Sequence, residues 1–206
     1  MLDRFARPLI DPPLDRLAAH LAPRIGADAV TVLGFALGLG AMALIMLGLH
    51  LPGLALLLLN RLADGLDGAI ARRNGITDLG GYLDITLDFI IYSGLVFAMA
   101  VADPAANALA AAFLAFSFMG TGASFLAFAI MAARRGLESR ERGTKSLYFL
   151  GGLAEGTETI VFFAAVLLWP TAFAVLAWAF GLVCWVTTAS RILMARQLLR
   201  QRPVDA

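Results

Sequence analysis

The sequence predicts an all-α polytopic membrane protein: six transmembrane helices preceded by an N-terminal cytoplasmic amphipathic helix that lies in the interface. Three observations predict it. First, 60% of the 206 residues are apolar without counting Gly, and only 15% are charged. Mean hydropathy is +0.82, whereas a soluble domain reaches about 45–50% apolar with Gly included. Second, the chain divides into six mostly apolar stretches close to the roughly 20 residues that cross a bilayer. Third, its basic residues occupy only alternate loops. These features exclude a disordered chain, a collagen-like chain and a disulfide scaffold. The single Cys184 forms no intramolecular disulfide, and a net charge of +1 leaves no nucleic-acid footprint, so no nucleic-acid partner is expected.

The N-terminal segment, MLDRFARPLIDPPLDR, is too charged for a signal peptide and lacks an apolar core. Leu14, Leu17, Ala18, Leu21 and Ile25 follow, at i, i+3, i+4, i+7 and i+11, as one apolar stripe. Asp11 is the expected N-cap, with Pro12 and Pro13 in the opening turn. Such a helix before a span lies flat in the interface as an anchor. The sharper alternative is a lid over a headgroup site.

The six spans are read at 29–49, 54–72, 79–101, 105–133, 147–169 and 171–194. The breakers HLPG at 50–53, DP at 103–104 and WP at 169–170 separate them. Trp169 falls where an interfacial aromatic belongs. The domain reading is a cytoplasmic segment 1–28, a transmembrane catalytic domain 29–195 and a cytoplasmic tail 196–206. Arg4, Arg7, Arg16 and Arg24 precede the first span, and Arg72 and Arg73 lie between the second and third. Arg134, Arg135, Arg140, Arg142 and Lys145 lie between the fourth and fifth, and Arg196, Arg200 and Arg202 follow the sixth. Arg61 and Arg191 lie within spans, toward the same side, and the other loops carry no Lys or Arg. By the positive-inside rule both termini are cytoplasmic, as an even span count requires. Fifteen Arg to one Lys, with an Ala excess, suggest a GC-rich bacterial genome and hence a bacterial cytoplasmic membrane.

Four carboxylates interrupt the second and third spans. A charge at membrane depth costs at least ~2.5–3.5 kcal/mol on insertion scales, so like charges gathered there need neutralising. Asp64 and Asp67 are at i and i+3 with Gly68 and Ala71 on the same face, and Asp84 and Asp88 are at i and i+4. A short turn at Asn74 and Gly75 makes the two helices antiparallel neighbours, and all four acids can meet in one pocket below the cytoplasmic surface. Clustered oxygen ligands without His or Cys suit Mg²⁺ or Mn²⁺, and four carboxylates can hold two such ions. Paired ions serve displacement at phosphorus. Gly65, Gly68, Gly80 and Gly81 flank the acids, either for close helix packing or to clear room for a bulky ligand.

The stretch 64–88 reads DGLDGAIARRNGITDLGGYLDITLD. It resembles the signature of the CDP-alcohol phosphatidyltransferase family, D-x-x-D-G-x-x-A-R, seven or eight residues, then G-x-x-x-D-x-x-x-D. Asp64, Asp67, Gly68, Ala71, Arg72, Gly80, Asp84 and Asp88 fill it without departure. Chain size, six spans and the amphipathic N-terminal helix are also similar. Many members read P-N-x-x-T at the first span; this chain has Ala27, Asp28 and Thr31, with Asp28 expected to cap the helix instead. The resemblance implies that Asp64, Asp67 and Asp84 ligate metals, and that Asp88 binds the second metal and is the catalytic general base. It implies that Gly68, Ala71, Arg72 and Gly80 surround the CDP moiety, with Arg72 near its phosphates. The implied reaction is CDP-alcohol, such as CDP-diacylglycerol, plus an alcohol acceptor giving a phosphodiester plus CMP. A homodimer is implied as well.

The acceptor is not legible. If it carries a phosphate, cations must meet it, and Arg134, Arg135, Arg142, Lys145 and Arg191 lie on the appropriate side of the membrane. Arg191 lies inside the last span near Thr187 and Ser190, either bound to function or snorkelling to the interface. Glu155 and Glu158, at i and i+3, either line the acceptor pocket or pair with Arg61, Arg134 or Arg191. The patch Ser117, Gly120, Thr121, Gly122 and Ser124 reads as helix packing. Two other functions compete. A cation transporter could use the intramembrane acids, but inverted repeats of broken helices are missing. An intramembrane prenyltransferase would place its acid motifs on well-separated helices, not within one stretch.

Overall fold

The computed structural model describes residues 3–135 and 152–200; side chains are described from residue 8 onward, except Leu9. Among these residues the chain is helical with no strand. The helices are α1 (Asp3–Leu21), α2 (Ala27–Met46), α3 (His50–Asn74), α4 (Asp78–Ala102), α5 (Pro104–Arg134), α6 (Gly156–Leu168) and α7 (Phe173–Arg200), with a 3-10 turn at Pro170–Ala172. The all-α expectation holds. The regions 27–46, 78–102, 104–134 and 170–200 are long and apolar enough to cross a membrane. α3 is as long as α4, but Arg61, Asp64, Asp67, Arg72 and Arg73 break its apolar run. α6 is apolar but only 13 residues long: the fifth span expected at 147–169 is helical only from Gly156, because residues 152–155 form a bend that ends on the N-cap Glu155, and 147–151 lie outside the described residues.

The connections follow from local chemistry. The α2–α3 turn is made by Gly48, at φ 76°, rather than by the HLPG sequence. α3 already begins at His50, and Pro52 sits in its first turn, where a missing N–H has no intrahelical partner to lose. Gly75, at φ 105°, ends α3, and Thr77 caps α4 by accepting the Gly80 N–H at 3.0 Å. Asp103 caps α5 through the Ala106 N–H at 3.1 Å, with Pro104 in the first turn.

Two expected caps are not made. Asp28 lies inside the first turn of α2, which Gly26 precedes as N-cap without a side-chain bond. Asp28 can therefore favour only the positive helix end. Asp11 is interior, because α1 starts at Asp3 and carries Pro8, Pro12 and Pro13 within it. Those prolines are exposed, so none of them lies on the buried stripe of the helix. α1 also ends before Ile25. Its buried stripe is Leu14 and Ala18 with Leu21 half-buried, whereas Leu17 and Ile25 are exposed.

α2 packs against α3 and α4, α5 against α4 and α7, and α6 against α3 and α7. The core gathers Ile45, Leu57, Ile91, Leu95, Met99, Leu114, Phe163 and Phe173, all essentially inaccessible. In lipid, close packing and small residues replace hydrophobic drive between helices. Gly38 receives the Ile91 side chain of α4, and Gly122 and Gly181 receive Phe89 and Phe113. With Ser117 fully buried, the small-residue patch of α5 is a packing surface. Outward-facing Leu109, Met119 and Val175 are 70–74% exposed, an apolar exterior suited to lipid tails.

Candidate active site

Thr31, Gly34, Asn60, Arg61, Asp64, Asp67, Asp84 and Asp88, with Phe35, Leu87 and Ile91, line one pocket between α2, α3 and α4. All four predicted acids therefore share a cavity. Carboxylate oxygens of Asp64, Asp84 and Asp88 lie within 4.8 Å of one another. This all-oxygen donor set on two rigid helices fits a hard divalent ion. Asp67 is held differently: it is 6% exposed, and the Thr31 hydroxyl donates to its Oδ2 at 2.6 Å. α2 thus supplies a wall and a hydroxyl donor although it carries no acid of the signature.

Sequence reading missed the cation of this pocket. Arg61 donates through Nη2 to Asp88 Oδ1 at 2.7 Å, through Nη1 to the Tyr92 hydroxyl at 2.9 Å, and through Nε to Asn60 Oδ1 at 2.8 Å. Nη1 also lies 3.8 Å from Asp64 Oδ2, and the guanidinium sits 5.1 Å from the centre of the Tyr92 ring. Asn60, itself buried, donates to the Gly34 carbonyl at 2.8 Å. Arg61 therefore pairs with Asp88 and Asp64, not with the glutamates. Only part of the signal lay in the sequence: Asp64 is i+3 from Arg61, whereas Asp88 and Tyr92 stand on another helix.

The residues assigned to CDP lie at the outer end of the pocket's helices. Gly68 and Ala71 are half-buried on α3, and Arg72 is exposed and paired with Asp15 of α1 at 3.3 Å. Gly80 opens α4 beside Thr77 and Asp28. α1 is fastened there too: Leu14 covers Gly65, Arg73 donates to the Asp15 carbonyl at 3.1 Å, and Asn74 to the Ala22 carbonyl at 3.0 Å. Of the acceptor candidates among the described residues, Arg134, Arg135 and Arg191, none lines the pocket. Arg134 is exposed at the end of α5, and Lys145, like Arg140 and Arg142, lies outside the described residues. Arg191 is 6% exposed between α5 and α7, donating to the Thr121 carbonyl at 3.0 Å with Phe125 beneath it at 5.6 Å. Gly122, next in the chain, meets Phe89, the residue after Asp88. Glu155 precedes α6, accepts the Gly152 N–H at 2.8 Å and is an electrostatic partner of Arg191.

Acids, glycines and the Ala-Arg pair thus stand on α3 and α4, which pack against α2 rather than as the close neighbours expected from their short turn, and the family profile of the CDP-alcohol phosphatidyltransferases matches residues 24–192. The chain belongs to this family. A CDP-alcohol phosphatidyltransferase is a transferase of phospholipid synthesis. The chain is 48% identical to the inner membrane protein YnjF of Escherichia coli (strain K12), over 93% of this chain and 94% of that one. It is 27% identical to the archaetidylinositol phosphate synthase of Pyrococcus horikoshii, over 80% and 89%. Its fold resembles that of the Mycobacterium tuberculosis phosphatidylinositol phosphate synthase PgsA1. The TM-score is 0.64 at 24% identity to the form with CDP-DAG bound, covering 88% of this chain and 92% of that one. It is 0.67 at 23% identity to the form with manganese and citrate, covering 94% and 92%.

Proposed function

We propose that this phosphatidyltransferase moves a phosphatidyl group from CDP-diacylglycerol to a hydroxyl of a small alcohol or phospho-alcohol and releases CMP. The observation that carries the reading is the convergence of Asp64, Asp84 and Asp88 oxygens within 4.8 Å, flanked by the signature glycines. Asp64, Asp67, Asp84 and Asp88 would hold two Mg²⁺ or Mn²⁺ ions, which when bound offset phosphate charge and the charge leaving with CMP. Asp88 takes the proton of the acceptor hydroxyl; its Oδ1 is engaged by Arg61, so Oδ2 is the oxygen for that task. Gly68, Ala71 and Gly80 leave space for the cytidine, and Arg72 exchanges Asp15 for the donor's phosphates.

The chain crosses the membrane six times, α3 and α6 included. Segment 1–28 and tail 196–206 lie on the cytoplasmic side with the active site, and residues 29–195 form the catalytic domain. The lipid donor keeps its tails in the bilayer while its headgroup reaches acids one or two turns below the surface. Arg191, Arg134 and Lys145 serve an acceptor phosphate, and the enzyme works as a homodimer in a bacterial inner membrane.

The test is CMP release by purified protein with CDP-diacylglycerol and Mg²⁺ or Mn²⁺. The acceptor panel is glycerol phosphate, inositol phosphate, inositol, serine and choline. One acceptor should stand out, chelation should abolish release, and Asp88→Asn should abolish it with metal present. Release of no CMP with any acceptor would overturn the reading.

A further inference from the structure

Arg61 is more than a counter-ion in passing. Its side chain is only 9% exposed. Three hydrogen bonds, to Asp88, Tyr92 and Asn60, fix the three guanidinium nitrogens, and the Asn60 amide is anchored in turn on the α2 backbone. A guanidinium stays charged at any working pH, and this one cannot swing away without breaking all three bonds. It is also placed asymmetrically, 2.7 Å from Asp88 and 3.8 Å from Asp64.

We propose that Arg61 is a fixed cation of the metal centre that makes its two ion positions unequal. The position served by Asp64 and Asp84 fills first, and the position sharing Asp88 fills only when the donor's phosphates arrive. This rests on the reading that the four aspartates hold divalent ions. Four carboxylates beside one guanidinium leave the pocket three negative charges. One divalent ion leaves one negative charge, and a second would make the pocket net positive. Without Arg61 the same two ions would bring the pocket to neutrality. Phosphate oxygens supply the missing negative charge, so a second ion and the donor bind together. Arg61 is in this sense a positioning residue: it sets when Asp88 is shared with a metal.

The test is Mn²⁺ titration of the full-length protein in nanodiscs without nucleotide, read by loss of the free-Mn²⁺ paramagnetic signal. Wild type should bind one ion, with the second at least about tenfold weaker. Arg61→Gln should bring the two affinities within about threefold, and Arg61→Lys, which keeps the charge, should keep the gap. Two equal sites in wild type, or an unchanged gap in Arg61→Gln, would overturn the proposal while leaving the metal reading intact. Failure of wild type to bind any Mn²⁺ would overturn both. If Arg61→Gln does not fold, wild type is titrated with and without CDP-diacylglycerol: a second-ion affinity raised by the donor supports the proposal and an unchanged one refutes it.

Discussion

Thr31→Val isolates one hydrogen bond of the site. The Thr31 Oγ1 lies 2.6 Å from Asp67 Oδ2 and 3.1 Å from the Ala27 carbonyl. One hydroxyl proton serves one acceptor at a time, and the shorter, charge-assisted contact takes it. Valine keeps the branched shape and removes the donor, leaving a carboxylate that is 6% exposed without it. A hydrogen bond to a charged group contributes about 1.5–3 kcal/mol. Partners behind metal ligands are worth about 10–100-fold in affinity or activity, which at about 1.4 kcal/mol per decade is the same range. Two readouts follow. Thermal unfolding in chelator should fall by roughly 4–8 °C, taking about 2 kcal/mol and roughly 2–4 °C per kcal/mol. The Mn²⁺ concentration for half-maximal CMP release should rise about 10- to 100-fold, and Thr31→Ser should restore both. A Thr31→Val protein that melts and titrates like wild type would show that Asp67 needs no donor from α2.

Other substitutions probe separate parts of the fold. Removing a ligand should cost more than removing its partner, so Asp84→Asn is expected to lower CMP release more than about 100-fold, measured at saturating donor and metal. Gly38→Val drives a side chain into Ile91, which is buried and has nowhere to go. An overpacked helix contact costs about 1–3 kcal/mol, to be read as a lowered melting temperature. Asp15→Ala breaks only a surface pair whose side chains are 43–48% exposed, worth at most about 1 kcal/mol, so its melting point should stay within roughly 4 °C of wild type.

The acids were legible because their chemistry and spacing are local: Asp64 to Asp67 and Asp84 to Asp88 are each one helical turn, and Gly75 makes the turn between them. The all-α class was legible from the apolar runs between breakers. The Arg61 network was not, because Asp88 and Tyr92 stand on another helix, and Arg61 was counted toward the cytoplasmic charge map although it lies at the middle of α3. Thr31 was visible only as a retained motif position; its bond to Asp67 spans two helices and needs their packing to be known. The caps failed for a simpler reason. Asp11 and Asp28 are good capping residues, but α1 and α2 begin upstream of them, and the start of a helix depends on what it packs against as much as on which residue could cap it.

The contact at Gly38 has a bearing on tolerance to sequence change. Through Gly34 and Gly38, α2 touches the amide of Asn60, which steadies Arg61, and the side chain of Ile91, one turn beyond Asp88. A survey of random variants scored for growth or lipid output should therefore show two kinds of intolerant position. One is the acids themselves. The other is a pair of glycines that bear no functional group, where even alanine tests the spacing on which the acids depend.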